Sequence, residues 1–275
     1  MPSVATVEIR CPACGLGTLL EDGGSQVVCN ACSCSYPEAD GVIDLLPGEP
    51  VKRSLAQRSM EADPIVRIYE SRLWRRSPYV SLLLGISFER ELGLILRAAQ
   101  LKGAEKVLDL ACGPGIYTRP FARELTAGCA VGLDISLPML RFASRRAREQ
   151  SVGNVLWIHG TALLLPFPVD HFDVVNCCGA LHLFPDVTRA LAEVCRVLKP
   201  AGRFTVAAFR RGEGQVAAVR AAARRRLFGL DAFSAGDLES RLHTAGLRDV
   251  QYHHARRAWL IASARKTSEE APAHA

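Results

Sequence analysis

Two pairs of cysteines near the N-terminus have the residue types and spacing of a metal site. Cys11 and Cys14 form one C-x-x-C pair, and Cys29 and Cys32 form a second pair a short distance along the chain. Four thiolates presented by two tight turns provide the tetrahedral sulfur set that zinc prefers. A closed four-ligand set leaves no open position, so we predict a structural Zn²⁺. Cys34 is either a substitute for Cys32 or a free thiol.

A glycine-containing turn after a predicted buried strand is the second candidate site. Residues 107–115 read Val-Leu-Asp-Leu-Ala-Cys-Gly-Pro-Gly, and glycines let a ligand approach the backbone closely. The pattern fits nicotinamide cofactors as well, but their third glycine is replaced here by Thr118. The carboxylate of Asp109, at the end of the strand, would repel a pyrophosphate and attract an ammonium or a sulfonium.

An acidic residue also ends the next predicted strand. Asp134 closes the segment 130–134, and a carboxylate at such a position can accept hydrogen bonds from both hydroxyls of a ribose. The alternative is that Asp134 caps the helix that begins near Leu137. Because Asp134 occurs together with the glycine turn, we favour the ribose interpretation.

Alternating strands and helices must position these residues. The predicted strands before residue 210 are 106–110, 130–134, 155–158, 172–178 and 202–209. The predicted helices between them are about 114–125, 138–149 and 187–198. This alternation predicts an α/β fold with a Rossmann-like, seven-stranded, mostly parallel sheet. A last helix near 235–245 precedes strands near 247–254 and 258–264, whose short connection requires an antiparallel pair.

The order of these segments resembles the class I S-adenosylmethionine (SAM)-dependent methyltransferases, specifically the UbiE-like group, also called methyltransferase type 11. The matching segments are 107–115, 132–136, 138–140, 165–167, 172–175, 180–182 and 193–204. They extend over roughly residues 100–265, and their shared order makes the resemblance specific. The resemblance implies SAM as the cofactor.

The resemblance also implies the contacts of the methionine end of SAM. Asp109 would hold that end together with the backbone of Ala111, Gly113 and Gly115. Cys178 and Tyr69 are further predicted cofactor contacts.

For the nucleoside end, the resemblance implies that Asp134 holds the ribose and that Ile135 and Met139 lie against the adenine. Thr161, beside Ala162, occupies the position at which the family usually has an acid that binds the adenine amino group. A threonine hydroxyl still accepts one hydrogen bond, so we expect weaker adenine recognition rather than loss of the site.

The N-terminal region carries a second resemblance. Residues 36–46 are similar to Trm112-like zinc ribbons, which also precede the methyltransferase domain in bacterial 23S rRNA guanine-N1 methyltransferases. Uncharacterised plant chloroplast methyltransferases combine such a ribbon with a segment like 63–75. We therefore predict four regions. They are a zinc ribbon at 1–50, a helical linker or lid at 51–100, the SAM-binding domain at 101–265 and a disordered tail at 266–275.

The acceptor is expected beyond the carboxyl ends of the strands, where ligands bind in this fold. His182 follows the fourth strand and is the predicted general base, although a structural role is a strong alternative. Residues expected to line this pocket, or else to pack as core or lid, are Tyr69, Trp74, Tyr79, Cys178, Phe184 and Phe209.

Composition limits the function classes. The 275 residues are 49% hydrophobic and lack an apolar run of membrane-spanning length or a secretory signal, so we predict a cytoplasmic protein. The net charge of +6 comes with scattered arginine clusters, which we interpret as solvated helix faces rather than phosphate sites. We favour methyl transfer to an oxygen of a small secondary metabolite. The alternatives are an rRNA or tRNA base methyltransferase, with the ribbon gripping RNA, and a binding module without turnover.

Overall fold

A computed structural model describes residues 7–46, 77–212 and 232–268, together with the isolated positions Gly214 and Val219. Residues 51–76 of the helical linker or lid predicted at 51–100, with Tyr69 and Trp74, lie outside the described residues. The end of the predicted tail, 269–275, also lies outside them. Among the residues described, no helix is both long enough and apolar enough to cross a membrane.

The N-terminal region folds as short antiparallel strands that follow one another along the chain. These are β1 (Leu19–Glu21), β2 (Gln26–Cys29), β3 (Ser35–Ala39) and β4 (Val42–Asp44). Asp40 and Gly41 connect β3 to β4 with φ values of 58° and 74°. Two positive φ values in a two-residue loop are typical of the type I′ turn, for which Asp-Gly is a preferred sequence. We call residues 7–46 the ribbon.

The remaining strands and helices alternate as the sequence predicted. The strands are β5 (Lys106–Leu110), β6 (Cys129–Asp134), β7 (Val155–His159), β8 (Phe172–Cys178), β9 (Leu198–Phe209), β10 (Leu247–Arg256) and β11 (Trp259–Lys266). The helices are α1 (Pro78–Leu84), α2 (Phe88–Ala99), α3 (Thr118–Glu124), α4 (Leu137–Glu149), α5 (Val187–Val197) and α6 (Ala235–Thr244). The strands from β5 onward lie in the order β7-β6-β5-β8-β9-β11-β10, and among them β11 alone runs in the opposite direction to the rest.

The sheet is wider than predicted, because it contains eleven strands rather than seven. The ribbon joins it through β4, which pairs in parallel with β7 and places Val42 opposite Trp157 and Asp44 opposite His159. Without β4, strand β7 would end the sheet and expose unpaired backbone groups. The ribbon therefore covers the edge of the sheet that β7 would otherwise form.

Several predicted boundaries were wrong for local reasons. The helix expected at 114–125 begins only at Thr118, because Gly113 and Gly115 have φ values of 53° and 74°, which interrupt a helix. The described part of the predicted helical linker or lid contains two helices, α1 and α2. Gly85 ends α1 with φ 76°, and the Ser87 hydroxyl accepts the Arg90 N–H at the start of α2.

The start of β9 and the end of β11 also differ from the prediction. β9 begins at Leu198 rather than residue 202, and its pairing with β8 shifts register between Phe172 and Val174. β11 runs through Lys266, the residue at which the tail was expected to begin.

Apolar side chains cover both faces of the sheet. On one face Ile9 and Leu19 of the ribbon belong to the same buried cluster as Leu108 and Ile158. On the other face Trp157 lies with Ala143 of α4. The ribbon thus shares a hydrophobic core with the α/β region, and burial of this apolar surface attaches it.

Candidate functional site

The glycine turn between β5 and α3 has a left-handed backbone that only certain residues tolerate. Ala111, Gly113 and Gly115 have φ values of 54°, 53° and 74°. A Cβ on Gly115 would lie 2.7 Å from ring atom Cη2 of Trp157, so a side chain there collides with the core. The Cys112 N–H donates to the Leu133 carbonyl at 3.1 Å and connects the turn to β6.

Asp109 lies beneath this turn and is only 1% exposed. Its Oδ1 accepts a hydrogen bond from Asn176 Nδ2 at 2.7 Å, and its Oδ2 accepts one from Thr118 Oγ1 at 2.5 Å. Burial raises the pKa of Asp109 to about 6, although both hydrogen bonds oppose that shift. Thr118, which occupies the position of the third glycine of the nicotinamide-cofactor pattern, therefore serves as a hydrogen-bond donor to Asp109. The contact between Asp109 and the methionine end of SAM stays a prediction.

Asp134 connects the end of β6 to the same turn. Its Oδ2 accepts the Gly113 N–H at 2.7 Å, and its Oδ1 accepts the Ser136 N–H at 2.8 Å. Ser136, not Asp134, is the N-cap residue of α4. Because a carboxylate oxygen can accept two hydrogen bonds, these contacts are compatible with the predicted ribose role.

The residues predicted at the adenine follow β6 and β7. Met139 is buried, and its sulfur lies 3.5 Å from the position of a Cβ on Gly113. Thr161 follows Gly160, whose N–H donates to the Asp134 carbonyl at 2.9 Å. The Thr161 hydroxyl accepts the Leu163 N–H at 3.3 Å, so it already has a partner within its own loop. Ile135 and Ala162 are half-buried.

The predicted acceptor side contains a group of packed rings at the carboxyl ends of β8 and β9, of which His182 and Trp259 are buried and Phe209 is half-buried. His182 lies on a 3₁₀ helix, Leu181–Leu183, and is 4% exposed. Its ring centroid is 4.4 Å from that of Phe209 and 6.3 Å from that of Trp259. Phe209 and Trp259 meet edge to face at 5.4 Å. We call these three residues the aromatic cluster.

The other predicted pocket residues are placed differently. Cys178 is buried, and its thiol donates to Asn176 Oδ1 at 3.0 Å. Phe184 is half-buried against the core, whereas Tyr79 on α1 is 75% exposed. The aromatic cluster therefore contains two of the predicted residues, His182 and Phe209, and not Tyr79.

Sequence reasoning missed two residues of this site. Asn176 is fully buried and joins Asp109 to Thr205, whose hydroxyl donates to Asn176 Oδ1 at 2.8 Å. The sequence feature that could have identified Asn176 is a polar residue within the otherwise apolar part of β8. Trp259 begins β11 and pairs with Phe209, the last residue of β9. Only the antiparallel return of the final hairpin indicates that neighbour.

The four predicted metal ligands converge in the ribbon. The Sγ atoms of Cys11, Cys14, Cys29 and Cys32 all lie within 4.8 Å of one another. The Cys11–Cys32 and Cys14–Cys29 sulfur distances are both 3.7 Å. A tetrahedron with zinc–sulfur bonds of about 2.3 Å has sulfur–sulfur edges of about 3.8 Å, so the set fits Zn²⁺. Cys34 lies outside this set.

Backbone geometry supports the same four thiols. The Gly17 N–H donates to Cys14 Sγ and the Ala31 N–H donates to Cys29 Sγ, both at 3.4 Å. Hydrogen bonds from the backbone of Gly17 and Leu16 lower the pKa of Cys14 to about 6. Gly15 has φ 68°, which suits the predicted bend after the first pair. A Cβ on Gly17 would lie 2.3 Å from Cys29 Sγ, a constraint that the sequence analysis missed.

Comparison with known proteins agrees with this geometry. Residues 107–202 match the model of a family described as a methyltransferase domain. The uncharacterized methyltransferase YcgJ of Bacillus subtilis is 40% identical over 117 residues, which are 42% of this chain and 44% of YcgJ. The YcgJ crystal structure aligns with a TM-score of 0.58 at 23% identity, covering 65% of this chain and 99% of YcgJ.

Two further relatives match over different spans. A demethylmenaquinone methyltransferase of Lactiplantibacillus plantarum is 44% identical over 99 residues, 35% of this chain and 42% of that protein. An uncharacterized chloroplastic methyltransferase of Arabidopsis thaliana is 29% identical over 194 residues, 68% of this chain and 54% of that protein. The chain therefore spans about half the length, or less, of the curated relatives it matches.

The glycine turn above Asp109, whose Gly113 N–H is held by Asp134, agrees with the strand order and with the methyltransferase-domain match over residues 107–202. Together these findings support the resemblance to the class I S-adenosylmethionine-dependent methyltransferases.

Proposed function

We propose that the protein transfers a methyl group from SAM to a hydroxyl oxygen of a small-molecule acceptor, a secondary metabolite. The observation that carries the proposal is the placement of two elements at the same edge of the sheet. The hydrogen-bonded glycine turn follows β5, and the aromatic cluster follows β8 and β9. A cofactor site beside an apolar, ring-lined site suits a cationic donor and a small acceptor.

The residues on the cofactor side bind and orient. Chains of this family take SAM as donor, and its cationic sulfur carries the transferable methyl. Asp109 and the left-handed turn would hold the methionine end, and Asp134 would hold the ribose. An anionic carboxylate opposite a cationic ligand stabilises the bound state, and this interaction is strengthened where water is excluded.

The residues on the acceptor side would position the hydroxyl and remove its proton. Holding two reactants in line contributes roughly 7–11 kcal/mol of barrier lowering, so most of the catalysis is positioning. His182 is the proposed base, because it lies at this edge of the sheet against Phe209. A base of this kind contributes about 10²–10⁴-fold in rate.

The position of the ribbon favours a small molecule over RNA. β4 joins the sheet beside β7, and the strands β6 and β5 separate β7 from β8. With about 4.8 Å between neighbouring strands, the ribbon edge lies roughly 19 Å from β8, on the adenine side of the site. A ribbon that presented RNA bases to the methyl group would be expected near β8 and β9 instead. One relative, the demethylmenaquinone methyltransferase, is named for a small molecule.

The proposal is tested with methyl-labelled SAM and a cell extract. We expect label to enter a low-mass fraction that nuclease treatment leaves intact, as an O-methyl product identified by mass spectrometry. The His182→Asn variant should lose about 100-fold in rate while binding S-adenosylhomocysteine normally. Label that becomes soluble only after nuclease treatment would indicate the RNA alternative. Failure of the wild-type protein to bind S-adenosylhomocysteine would contradict the cofactor assignment itself.

We also propose that Cys11, Cys14, Cys29 and Cys32 hold one structural Zn²⁺. Elemental analysis should find about one zinc per chain, since a single four-thiolate set closes around one ion. Cys32→Ser should abolish zinc retention, and Cys34→Ser is the matched control that should keep it. A metal-free wild-type preparation, or zinc loss in Cys34→Ser alone, would contradict this assignment.

A further inference from the structure

Three neighbouring strands end side by side where the ribbon meets the cofactor site. Asp44 at the end of β4 lies opposite His159 at the end of β7, and His159 lies opposite Asp134 at the end of β6. The Leu45 N–H donates to the His159 carbonyl at 3.1 Å and continues this pairing beyond the last strand residues. A ribbon residue is therefore two strands away from the proposed ribose ligand.

The side chain of His159 bridges the same three segments. Its Nδ1 lies 2.6 Å from Asp44 Oδ1, and its Nε2 lies 3.0 Å from the carbonyl oxygen of Ile135. Ile135 directly follows Asp134 and is the residue predicted against the adenine. His159 is 5% exposed, so protein atoms rather than water meet its ring.

Both ring nitrogens of His159 face an oxygen atom, one from the Asp44 side chain and one from the Ile135 backbone. The ring therefore spans the gap between the ribbon and the segment that follows β6, and its orientation depends on both contacts. Removal of Asp44 therefore removes the partner of His159 as well as a contact of the ribbon.

We propose that Asp44 and His159 are positioning residues for the nucleoside end of SAM, so that the ribbon forms a working part of the cofactor site. Asp44 orients His159, and His159 holds the Ile135 carbonyl. The position of the peptide group that contains this carbonyl determines where Ile135 lies and in which direction the chain continues after Asp134. The inference rests on the proposed function, because it assumes that this site binds the nucleoside of SAM.

Other contacts attach the ribbon without involving Ile135. Ser144 on α4 donates from its hydroxyl to the Asp40 carbonyl at 2.7 Å, and Arg148 donates to the same oxygen at 3.2 Å. The Arg10 N–H donates to the Pro166 carbonyl at 2.9 Å. Attachment of the ribbon and orientation of Ile135 can thus be disturbed separately, and Ser144→Ala is a matched control for the first.

The test measures calorimetric affinity for S-adenosylhomocysteine and for 5′-methylthioadenosine, which has the nucleoside but lacks the methionine end. We expect Asp44→Ala to weaken both ligands by a similar factor, about five- to twentyfold, as for a lost charge-assisted hydrogen bond. Ser144→Ala should change either affinity by less than about twofold, because its hydrogen bond lies outside the site. Asp44→Asn keeps an acceptor oxygen for His159 and should fall between the two.

If Asp44→Ala does not fold, the comparison of Asp44→Asn with Ser144→Ala decides whether Asp44 has a positioning role. Affinities in the Asp44 variants equal to those of Ser144→Ala would overturn the positioning role. So would a loss confined to S-adenosylhomocysteine, since the methionine end would then be responsible. Absence of binding by the wild-type protein would instead contradict the proposed function.

Discussion

The proposed cofactor side and the proposed acceptor side of the site are built in different ways. Around the glycine turn, Asp109 and Asp134 accept hydrogen bonds from Thr118, Asn176 and two backbone N–H groups at distances up to 2.8 Å. On the acceptor side, His182, Phe209 and Trp259 meet through ring contacts with centroids 4.4 to 6.3 Å apart.

This difference indicates what each side can specify. Directional hydrogen bonds define positions and suit a ligand that is the same in every turnover. Ring contacts define a shape and an apolar surface, and one shape can be exchanged for another at modest cost. We therefore expect changes on the cofactor side to affect every reaction of the protein, and changes on the acceptor side to affect the choice of acceptor.

The largest effect should come from the backbone of the cofactor side. Gly115→Ala places a Cβ 2.7 Å from Trp157 at φ 74°, which should destabilise the fold by about 3 kcal/mol or more. Gly113→Ala meets only Met139 at 3.5 Å and should cost about 1 kcal/mol, for the left-handed conformation alone. Chemical denaturation measures both variants. Equal losses would show that the turn, rather than Trp157, limits position 115.

Asp134→Ala should be next in size. It removes the acceptor of the Gly113 N–H and the proposed ribose ligand, so affinity for S-adenosylhomocysteine should fall at least about tenfold in calorimetry. Asp186→Ala, which removes only the N-cap of α5, is a control for helix and loop destabilisation. Unchanged affinity in Asp134→Ala would contradict the assignment of the nucleoside end.

Asp109→Asn should separate stability from binding. Because burial raises the folded pKa of Asp109 to about 6, above its ordinary 3.8, the ionised carboxylate destabilises the fold above pH 6 and not below pH 4. The amide introduced by this substitution can accept from Asn176 and donate to Thr118. The variant should therefore be more stable at pH 7.5 by about 1–2 kcal/mol, with the gain disappearing near pH 4, while binding S-adenosylhomocysteine more weakly. Equal stability changes at both pH values would exclude burial of charge as the cause.

The smallest effect should come from the acceptor side. Phe209→Leu keeps an apolar side chain, so affinity for S-adenosylhomocysteine should stay within about twofold and stability should change by less than about 1.5 kcal/mol. Activity toward the acceptor should fall by a few-fold and differ among acceptors, in line with the roughly 1–3 kcal/mol that such a shape change is worth. A drop in cofactor affinity as large as that of Asp134→Ala would remove the distinction between the two sides.

Much of the site was accessible from the sequence because its signals are local. The Cys-x-x-Cys pairs, the strand that ends in Asp109 and the left-handed glycines each lie within a few residues, and backbone sterics act at that range. The alternation of apolar runs likewise predicted the seven strands from β5 onward, since helix and strand periods are read along the chain.

Contacts between distant residues needed the tertiary structure. Thr118, Asn176 and Trp259 are ordinary residues in their own segments, and their roles come from partners on other strands. In the sequence, Thr118 occupied the position of the third glycine of the nicotinamide-cofactor pattern and indicated only that this glycine was absent. In the folded chain it is a hydrogen-bond donor to Asp109. Sequence periodicity also could not divide α1 from α2, because one left-handed glycine and one capping serine decided that break.

The order of strands and helices from β5 onward, the four cysteines of the sulfur set and the position of the glycine turn could be read from the sequence, because each depends on neighbouring residues. The tertiary structure was needed to show that the ribbon extends the sheet beyond β7. There Asp44 meets His159, 115 positions away along the chain. Such a pairing depends on burying the exposed edge of β7, and the free energy of that burial is a property of the whole fold rather than of any segment.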